Sequence, residues 1–217
     1  MMNRIAPMVK NLLIVNVIVF AIQLAMESFF NLDSVRVFGL RYFGASEFAP
    51  YQLITYMFSH STYDIMHIIG NMFALYMFGS SLEQAWGSKR FLQFYLITGI
   101  GAGVLYQFAS GIELYMAADT FSTAALSLRD QAYMNIPMVG ASGAVFGILL
   151  AFGMLFPNVR LMLLFPPIPI KAKYFVLFYG LYELYATIQN SPTDNTAHLA
   201  HLGGMLFAFI LIKMWKK

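Results

Sequence analysis

Long apolar stretches alternate with short polar segments along almost the whole chain. Six of these stretches approach the ~20 apolar residues that a helix needs to cross a bilayer, and they cover residues 12–30, 65–86, 91–110, 138–156, 170–188 and 197–215. No internal repeat, low-complexity tract or soluble domain interrupts them. The pattern therefore predicts an all-α membrane protein, with residues 1–217 forming a single bundle of six transmembrane helices.

The distribution of basic residues predicts the orientation of this bundle. An even number of spans places both termini on the same side of the membrane. Ten lysines and arginines then fall on the side of the termini and three on the other side. Because cytoplasmic segments are enriched in lysine and arginine, we predict that both termini are cytoplasmic. The basic start, Met1 to Lys10, precedes a retained first span and lacks the cleavage site of a removable signal peptide.

The composition supports a membrane protein and excludes several kinds of site. The 217 residues are 59% hydrophobic and 11% charged, whereas soluble domains contain about 25% charged residues. The net charge of +3 is spread without a basic patch, so we expect no nucleic-acid partner. The absence of cysteine excludes disulfides, thiolate metal sites and a cysteine nucleophile.

One serine lies where a water-facing connection enters an apolar span. The segment Gly140-Ala141-Ser142-Gly143 precedes the uncharged run 144–156. If Ser142 lies in the first helical turn, its N–H has no intrahelical acceptor and can form half of an oxyanion hole. An alternative is that the segment only packs tightly, because small residues recur every four positions at Gly143, Gly147 and Ala151.

Polar residues on two other spans lie at the same predicted depth. The second, fourth and sixth spans all enter from the outer side, so His67, Ser142 and His201 lie within roughly 10 Å of that face at 1.5 Å per residue. His67, Gly70, Asn71 and Ala74 share one face of the second span. The sixth span repeats this small and polar face with His201, Gly204 and Ala208. A serine and a histidine in one layer suggest a nucleophile and its base.

Three motifs in these spans resemble those of a known enzyme family. His67-Ile68-Ile69-Gly70-Asn71 resembles the H-x-x-x-N motif of rhomboid intramembrane serine proteases, Gly140-Ala141-Ser142-Gly143 resembles their G-x-S-G, and Ala200-His201-Leu202-Gly203-Gly204 resembles their A-H-x-x-G. Their order, spacing and span count match the minimal six-span bacterial type. The resemblance covers essentially the whole chain.

The resemblance implies a catalytic site and a setting for it. Ser142 would be the nucleophile and His201 the general base, while the side chains of His67 and Asn71 would join the Ser142 N–H as oxyanion donors. Phe146 occupies the position of the tyrosine that stacks on the histidine in this family. The substrates would be transmembrane proteins that enter sideways from the lipid bilayer, past the aromatic fifth span. The site would face the outside of a bacterial plasma or inner membrane and need no cofactor.

The family completes its site without an aspartate, and this sequence fits that pattern. Asp194 is the only acid expected near His201, and it lies outside the span. Glu183 lies within the fifth span, where we favour a structural role such as a hydrogen bond to a neighbouring helix.

Other histidines offer competing interpretations. His198 competes with His201 as the base, but the glycine pattern after His201 favours the latter. A metal site at His198-x-x-His201 is disfavoured because no carboxylate is expected on a facing turn. His60 is assigned a structural role in the outer connection. The sequence also departs from the family pattern at Tyr51-Gln52 and at Glu83-Gln84-Ala85.

Two other functions remain open at this point. One is a non-catalytic rhomboid-like protein that binds membrane clients, although such relatives usually lack the serine or the histidine. The other is a small transporter or channel, but no span pair shows the matched helix breaks that transporters use. The sequence does not indicate an oligomeric state.

Overall fold

The computed structural model describes residues 5–128, 131, 135–163, 167–189 and 197–215. A π-helical turn at Leu75–Gly79 joins the helices Ile65–Ala74 and Ser80–Trp86, and a 3₁₀ turn covers Thr123–Ala125. The remaining elements are, in chain order, α1 (Pro7–Phe30), α2 (Ser34–Phe38), α3 (Gln52–Thr55), α4 (Ile65–Ala74), α5 (Ser80–Trp86), α6 (Ser88–Ala118), α7 (Ser142–Leu155), β1 (Arg160–Met162), β2 (Pro169–Lys171), α8 (Ala172–Gln189) and α9 (His198–Trp215).

A helix occupies each of the six apolar stretches, but they differ in how well they suit a bilayer. Among the described residues, four helices are long and apolar enough to cross a membrane: Pro7–Phe30, Ile65–Trp86, Ser88–Met116 and His198–Trp215. The helix α7 has only 14 residues, and α8 contains several tyrosines that lower its hydropathy. The fold is therefore a mostly helical membrane domain with four candidate spans. Crossing by α7 and α8, and the side of the termini, remain predictions.

The helix ends form two layers. In one layer, the Arg90 guanidinium donates to the carbonyl oxygen of Trp215 at 3.2 Å, so the start of α6 meets the end of α9. In the other layer, the side chain of Gln23 near the end of α1 bonds to the backbone of His60, just before α4. The starts of α4, α7 and α9 lie in this second layer, where His201 contacts Ser142.

The helix α7 lies at the centre of the bundle, between α6 and α9. Its glycines allow this close approach. A Cβ on Gly143 would lie 2.6 Å from the Cβ of Ala102, and one on Gly147 would lie 2.9 Å from the Cβ of Thr98. On the facing helix, a Cβ on Gly204 would overlap the carbonyl oxygen of Gly143. The small residues thus serve packing, and they fix α7 against the two helices beside it.

The long connection 31–64 folds against the helices. Leu40 and Met138 exchange two backbone hydrogen bonds of 2.8 and 2.9 Å as an isolated antiparallel bridge. The buried Tyr56 hydroxyl donates to the carbonyl oxygen of Gly99 in α6 at 2.6 Å. These contacts tie the connection to both α6 and the segment that precedes α7. A short hairpin of β1 and β2, which the sequence analysis did not anticipate, joins α7 to α8.

A buried carboxylate caps the first helix. Glu83 of α5 accepts the backbone N–H groups of Met8 and Val9 at 2.9 and 2.8 Å, and the Ser88 hydroxyl donates to the same carboxylate at 2.5 Å. The first N–H groups of a helix have no intrahelical acceptor and carry the positive end of its dipole. Glu83 therefore supplies the cap that α1 does not provide for itself.

We expect Glu83→Ala to lower the free energy of unfolding by roughly 2–4 kcal/mol, because one buried and one half-buried donor lose charge-assisted hydrogen bonds. The measurement is reversible unfolding in detergent. Ser88→Ala is the control, since it leaves both bonds to α1 in place and should cost less than about 1 kcal/mol. Equal losses in the two variants would contradict this role for the carboxylate.

Candidate active site

Ser142 is the first residue of α7, and the segment before it is held out of the helix. The sequence predicted a helix from Met138, which is four residues too early. The bridge between Leu40 and Met138 keeps this segment extended, and Gly140 has a φ of +129° that favours glycine. A Cβ on Gly140 would also lie 2.8 Å from His67 Nε2. The helix consequently starts at the serine, whose N–H lacks an intrahelical acceptor.

His201 lies within hydrogen-bond distance of this serine. Its Nε2 is 2.9 Å from Ser142 Oγ, and the ring is 7% exposed. The ring of Phe146, one turn after Ser142, stacks on His201 with centroids 4.1 Å apart and planes at 9°. The structure therefore brings together the serine, the histidine and the aromatic residue that the sequence analysis singled out. An imidazole fixed in this way can take the proton of the hydroxyl.

His67 and Asn71 lie on the face of α4 that borders the serine. The Ser61 N–H donates to His67 Nδ1 at 3.2 Å, so the proton of the neutral ring is on Nε2, the atom beside Gly140. The Asn71 side chain donates one N–H to the His67 carbonyl oxygen at 2.8 Å. Its amide has a second N–H. Both side chains can therefore donate toward an oxyanion formed at Ser142.

These groups line one cavity of about 940 Å³, and residues of both α4 and α8 lie on its walls. The α4 side is formed by His67, Gly70 and Asn71, and the α8 side by Phe175 and Tyr179. Ser142 and His201 form part of its wall. A Cβ on Gly70 would meet no atom within 4 Å. The site is thus a large cavity with a serine hydroxyl, an imidazole and hydrogen-bond donors on its walls.

Glu183 contacts both histidines, which corrects two expectations. Its Oε2 is 2.9 Å from His201 Nδ1 and 2.6 Å from His198 Nδ1, and the residue is 3% exposed. The prediction that no carboxylate faces the histidine pair is wrong, as is the prediction that Asp194 is the only nearby acid. Asp194 and Asn195 lie outside the described residues. The depth of Glu183 in the bundle could have indicated this contact. Glu183 lies within two turns of the end of α8, in the layer that contains His201.

These three side chains also form a set that could hold a metal ion. One ligand atom each from Glu183, His198 and His201 lies within 4.8 Å of the others. His198 is 8% exposed. Its shared contact with Glu183 places it beside His201 on the wall of the cavity.

The comparisons with known proteins agree with this geometry. The model of the rhomboid domain matches residues 47–216, which include the serine, the histidines and the asparagine. The chain belongs to the rhomboid family. It is 38% identical to RHOMBOID-like protein 12, mitochondrial, of Arabidopsis thaliana over 73% of this chain and 44% of that protein. It is 30% identical to Rhomboid protein 1, mitochondrial, of Saccharomyces cerevisiae over 70% of this chain and 38% of that protein.

A bacterial relative carries the name of an enzyme. The chain is 27% identical to the rhomboid protease AarA of Providencia stuartii, over 92% of this chain and 69% of that protein. The rhomboid family thus includes serine proteases. The match spans less than half the length of the two mitochondrial relatives.

The predicted location in a bacterial plasma or inner membrane is contradicted. Several relatives, from plant, yeast and animal sources, are mitochondrial by name, and they point to a mitochondrial membrane. Hydropathy and the sign of flanking charges describe a chain that fits a bilayer. These features are shared by rhomboid domains of different membranes, so they could not identify which membrane holds this one.

The loop that contains the departure at Tyr51-Gln52 is held by a buried side-chain amide. The side-chain oxygen of Gln52 accepts hydrogen bonds from the backbone N–H groups of Arg41 and Ala49, both at 3.3 Å. The Arg41 guanidinium pairs with Glu47. A buried amide therefore connects the two ends of this loop.

His60 packs against His67, on the α4 side of the cavity. The ring is fully buried and lies edge-on to His67, with centroids 5.2 Å apart. Burial, and secondarily the proximity of His67, lowers the pKa of His60 to about 4. His60 is thus neutral near pH 7, and its shape supports the ring of His67. This contact agrees with the structural role predicted for His60.

We expect the stability of the rhomboid domain to fall as the pH is lowered from about 6.5 toward 4. The unfolded chain gains a proton on His60 in this range and the folded chain does not, which costs up to about 1.4 kcal/mol per pH unit. In His60→Phe, a ring of similar shape removes this contribution. The measurement is the unfolding free energy against pH for both proteins. Equal slopes would contradict the assignment, and pH 8 serves as the reference at which His60 is neutral in both states.

Proposed function

We propose that this protein is an intramembrane serine protease that cleaves transmembrane proteins with a Ser142–His201 dyad. The observation that carries the proposal is the 2.9 Å contact between Ser142 Oγ and His201 Nε2 at the wall of the cavity. Membership in a family that includes serine proteases supports it. No cofactor is required, because the dyad supplies both the nucleophile and the proton transfer.

The reaction follows from the positions of these atoms. His201 Nε2 takes the hydroxyl proton as Ser142 Oγ forms a bond to the scissile carbonyl carbon, and the carbonyl π electrons move to its oxygen. The tetrahedral intermediate collapses, the C–N bond breaks, and Nε2 gives the proton to the leaving amine. A water molecule then attacks the acyl-enzyme ester, transfers a proton through Nε2 to Ser142 Oγ, and releases the carboxylic acid.

Three groups are placed to stabilise the negative oxygen. The Ser142 N–H lies at the positive end of α7, and His67 and Asn71 line the same cavity as Ser142. An oxyanion donor of this kind contributes about 3–4 kcal/mol in other enzymes. We assign His67, Asn71 and the Ser142 N–H to this role, and Phe146 to holding the base by stacking.

The architecture supports a substrate that comes from the bilayer. In our proposal all six helices cross the membrane as one domain over residues 1–217, with both termini on the same side. At 1.5 Å per residue, the 14 residues of α7 cover about 21 Å of a hydrocarbon core of about 30 Å. Ser142 then lies below the membrane face opposite the termini, and in this proposal the cavity opens to lipid between α4 and α8. We propose that a transmembrane segment enters there and is cut near that face.

The test is cleavage of a reconstituted substrate. The purified protein is incorporated into liposomes with a panel of labelled single-span proteins, and the fragments are identified by mass spectrometry. We expect cleavage by the wild type within or near the transmembrane segment and none by Ser142→Ala. Cleavage that persists in Ser142→Ala would exclude the serine mechanism. A folded wild type that binds these proteins without cutting any would favour the client-binding function.

A further inference from the structure

The structure assigns Glu183 as a positioning residue that holds the proton of His201 on Nδ1 and so keeps Nε2 free to act as the base. The inference rests on the proposed protease function and adds a third member to the dyad. Glu183 Oε2, His201 and Ser142 Oγ form a continuous chain, with 2.9 Å from Oε2 to Nδ1 and 2.9 Å from Nε2 to Oγ. This is the order acid, base and nucleophile found in hydrolytic triads.

The tautomer of His201 follows from the chemistry of its two partners. An ionised carboxylate has no proton to donate, so a contact at 2.9 Å requires that Nδ1 carries the hydrogen. The neutral ring then has its lone pair on Nε2, facing the hydroxyl that must lose a proton. With the opposite tautomer, Nε2–H would point at Ser142 and could not accept that proton. Glu183 therefore selects the form of the ring that catalysis needs.

The surroundings strengthen this contact. Glu183 and His201 are 3% and 7% exposed, so little water competes for the hydrogen bond. Because His201 becomes an imidazolium when it takes the serine proton, a buried carboxylate at its other nitrogen stabilises the charge at that moment. Phe146 stacks on one face of the His201 ring, whereas Glu183 fixes which ring nitrogen faces the carboxylate. Stacking alone would not distinguish Nδ1 from Nε2.

The same carboxylate also accounts for the position of the second histidine, His198. His198 Nδ1 lies 2.6 Å from the same oxygen, and a carboxylate oxygen accepts two hydrogen bonds. These separations are those of hydrogen bonds. Ligands around a tetrahedral zinc ion stand about 3.3 Å apart, so a metal would have to push the three groups outward. A metal on His201 Nδ1 would also move the proton to Nε2, which would remove the base.

The experiment compares Glu183→Gln with the wild type in the liposome assay. We expect kcat to fall at least 100-fold with little change in KM, since the equivalent loss in a Ser-His-Asp protease is about 10⁴-fold. Glu183→Asp should recover part of the activity. The control is Glu27→Gln, which makes the same change to a carboxylate of α1. Glu27 accepts the Ser34 hydroxyl at 2.7 Å, and this variant should keep wild-type activity.

Each outcome separates the inference from the proposed function. An inactive, folded wild type would refute the protease function itself. An active wild type with Glu183→Gln within about threefold of it, or with an unchanged kcat and a raised KM, would overturn the role of Glu183 alone. Wild-type activity that disappears with a chelator and returns with Zn²⁺ would also overturn it, in favour of a metal at Glu183, His198 and His201.

If the Glu183 variants do not fold, a measurement on the wild type determines which ring nitrogen of His201 carries the proton. The ¹⁵N shifts and proton couplings of selectively labelled histidine report which ring nitrogen carries hydrogen, and His201→Gln identifies the resonance. We expect the proton of His201 on Nδ1, with a downfield shift from its bond to the carboxylate. A proton on Nε2 in the folded wild type would contradict the inference.

Discussion

Replacing His201 by alanine is expected to lower kcat for peptide-bond cleavage by at least 10³-fold, because the protein loses its proposed general base. The Ser142 hydroxyl is a poor nucleophile unless a base takes its proton, and His201 Nε2 is the ring nitrogen 2.9 Å from it. In a soluble serine protease the loss of the histidine alone costs about 10⁶-fold. The measurement is the single-turnover cleavage rate in liposomes.

The control is Leu206→Ala on the same helix. Leu206 is 47% exposed on the surface of α9, so its truncation removes a similar volume without touching the cavity. Its rate should stay within a few-fold of the wild type. A His201→Ala protein that is folded and retains more than about one tenth of the wild-type rate would show that another group serves as the base, with His198 the first to test.

Gly204→Ala is expected to have the largest effect on folding. The added methyl group would overlap the carbonyl oxygen of Gly143, which lies one residue after Ser142. The methyl carbon is attached directly to the backbone of α9, and the oxygen belongs to the backbone of α7. The two helices can therefore accommodate the methyl group only by moving apart. We expect a loss of more than about 4 kcal/mol in unfolding free energy, the range of severe core overpacking. Any folded fraction should have a lengthened contact between Ser142 and His201.

The matched control is Gly70→Ala, the same substitution at a glycine whose added Cβ would meet no atom within 4 Å. Alanine favours the helix over glycine by about 1 kcal/mol, so this variant should be as stable as the wild type or slightly more so. The readout is the fraction of folded protein after purification and its unfolding midpoint. Equal stability of the two variants would contradict the close packing of α7 against α9.

The layer that holds His67, Asn71, Ser142 and His201 could be predicted because it depends on local periodicity and depth. His67 and Asn71 are four residues apart on one helix face, and counting from the ends of the apolar stretches places them level with Ser142 and His201. Helix positions in a membrane follow from length alone to within a turn. The stacking position of Phe146 follows in the same way from its spacing to Ser142.

Contacts between helices that are distant in sequence could not be read in this way. Glu183 contacts His201 only because α8 packs beside α9 with a particular rotation, and periodicity gives no rotation for a helix as uniformly aromatic as α8. The start of α7 depends on a backbone bridge to Leu40, about 100 residues earlier in the chain. An isolated pair of this kind leaves no pattern in the sequence.

The most direct test of the central claim is labelling by a fluorophosphonate probe, with the modified residue identified by mass spectrometry. The probe reacts with a serine only when a base activates it. The account predicts a single adduct on Ser142 in the folded wild type, and no labelling of folded Ser142→Ala or His201→Ala. An unlabelled wild type, or an adduct that forms on Ser142 equally fast without His201, would contradict the account of an activated serine in this site.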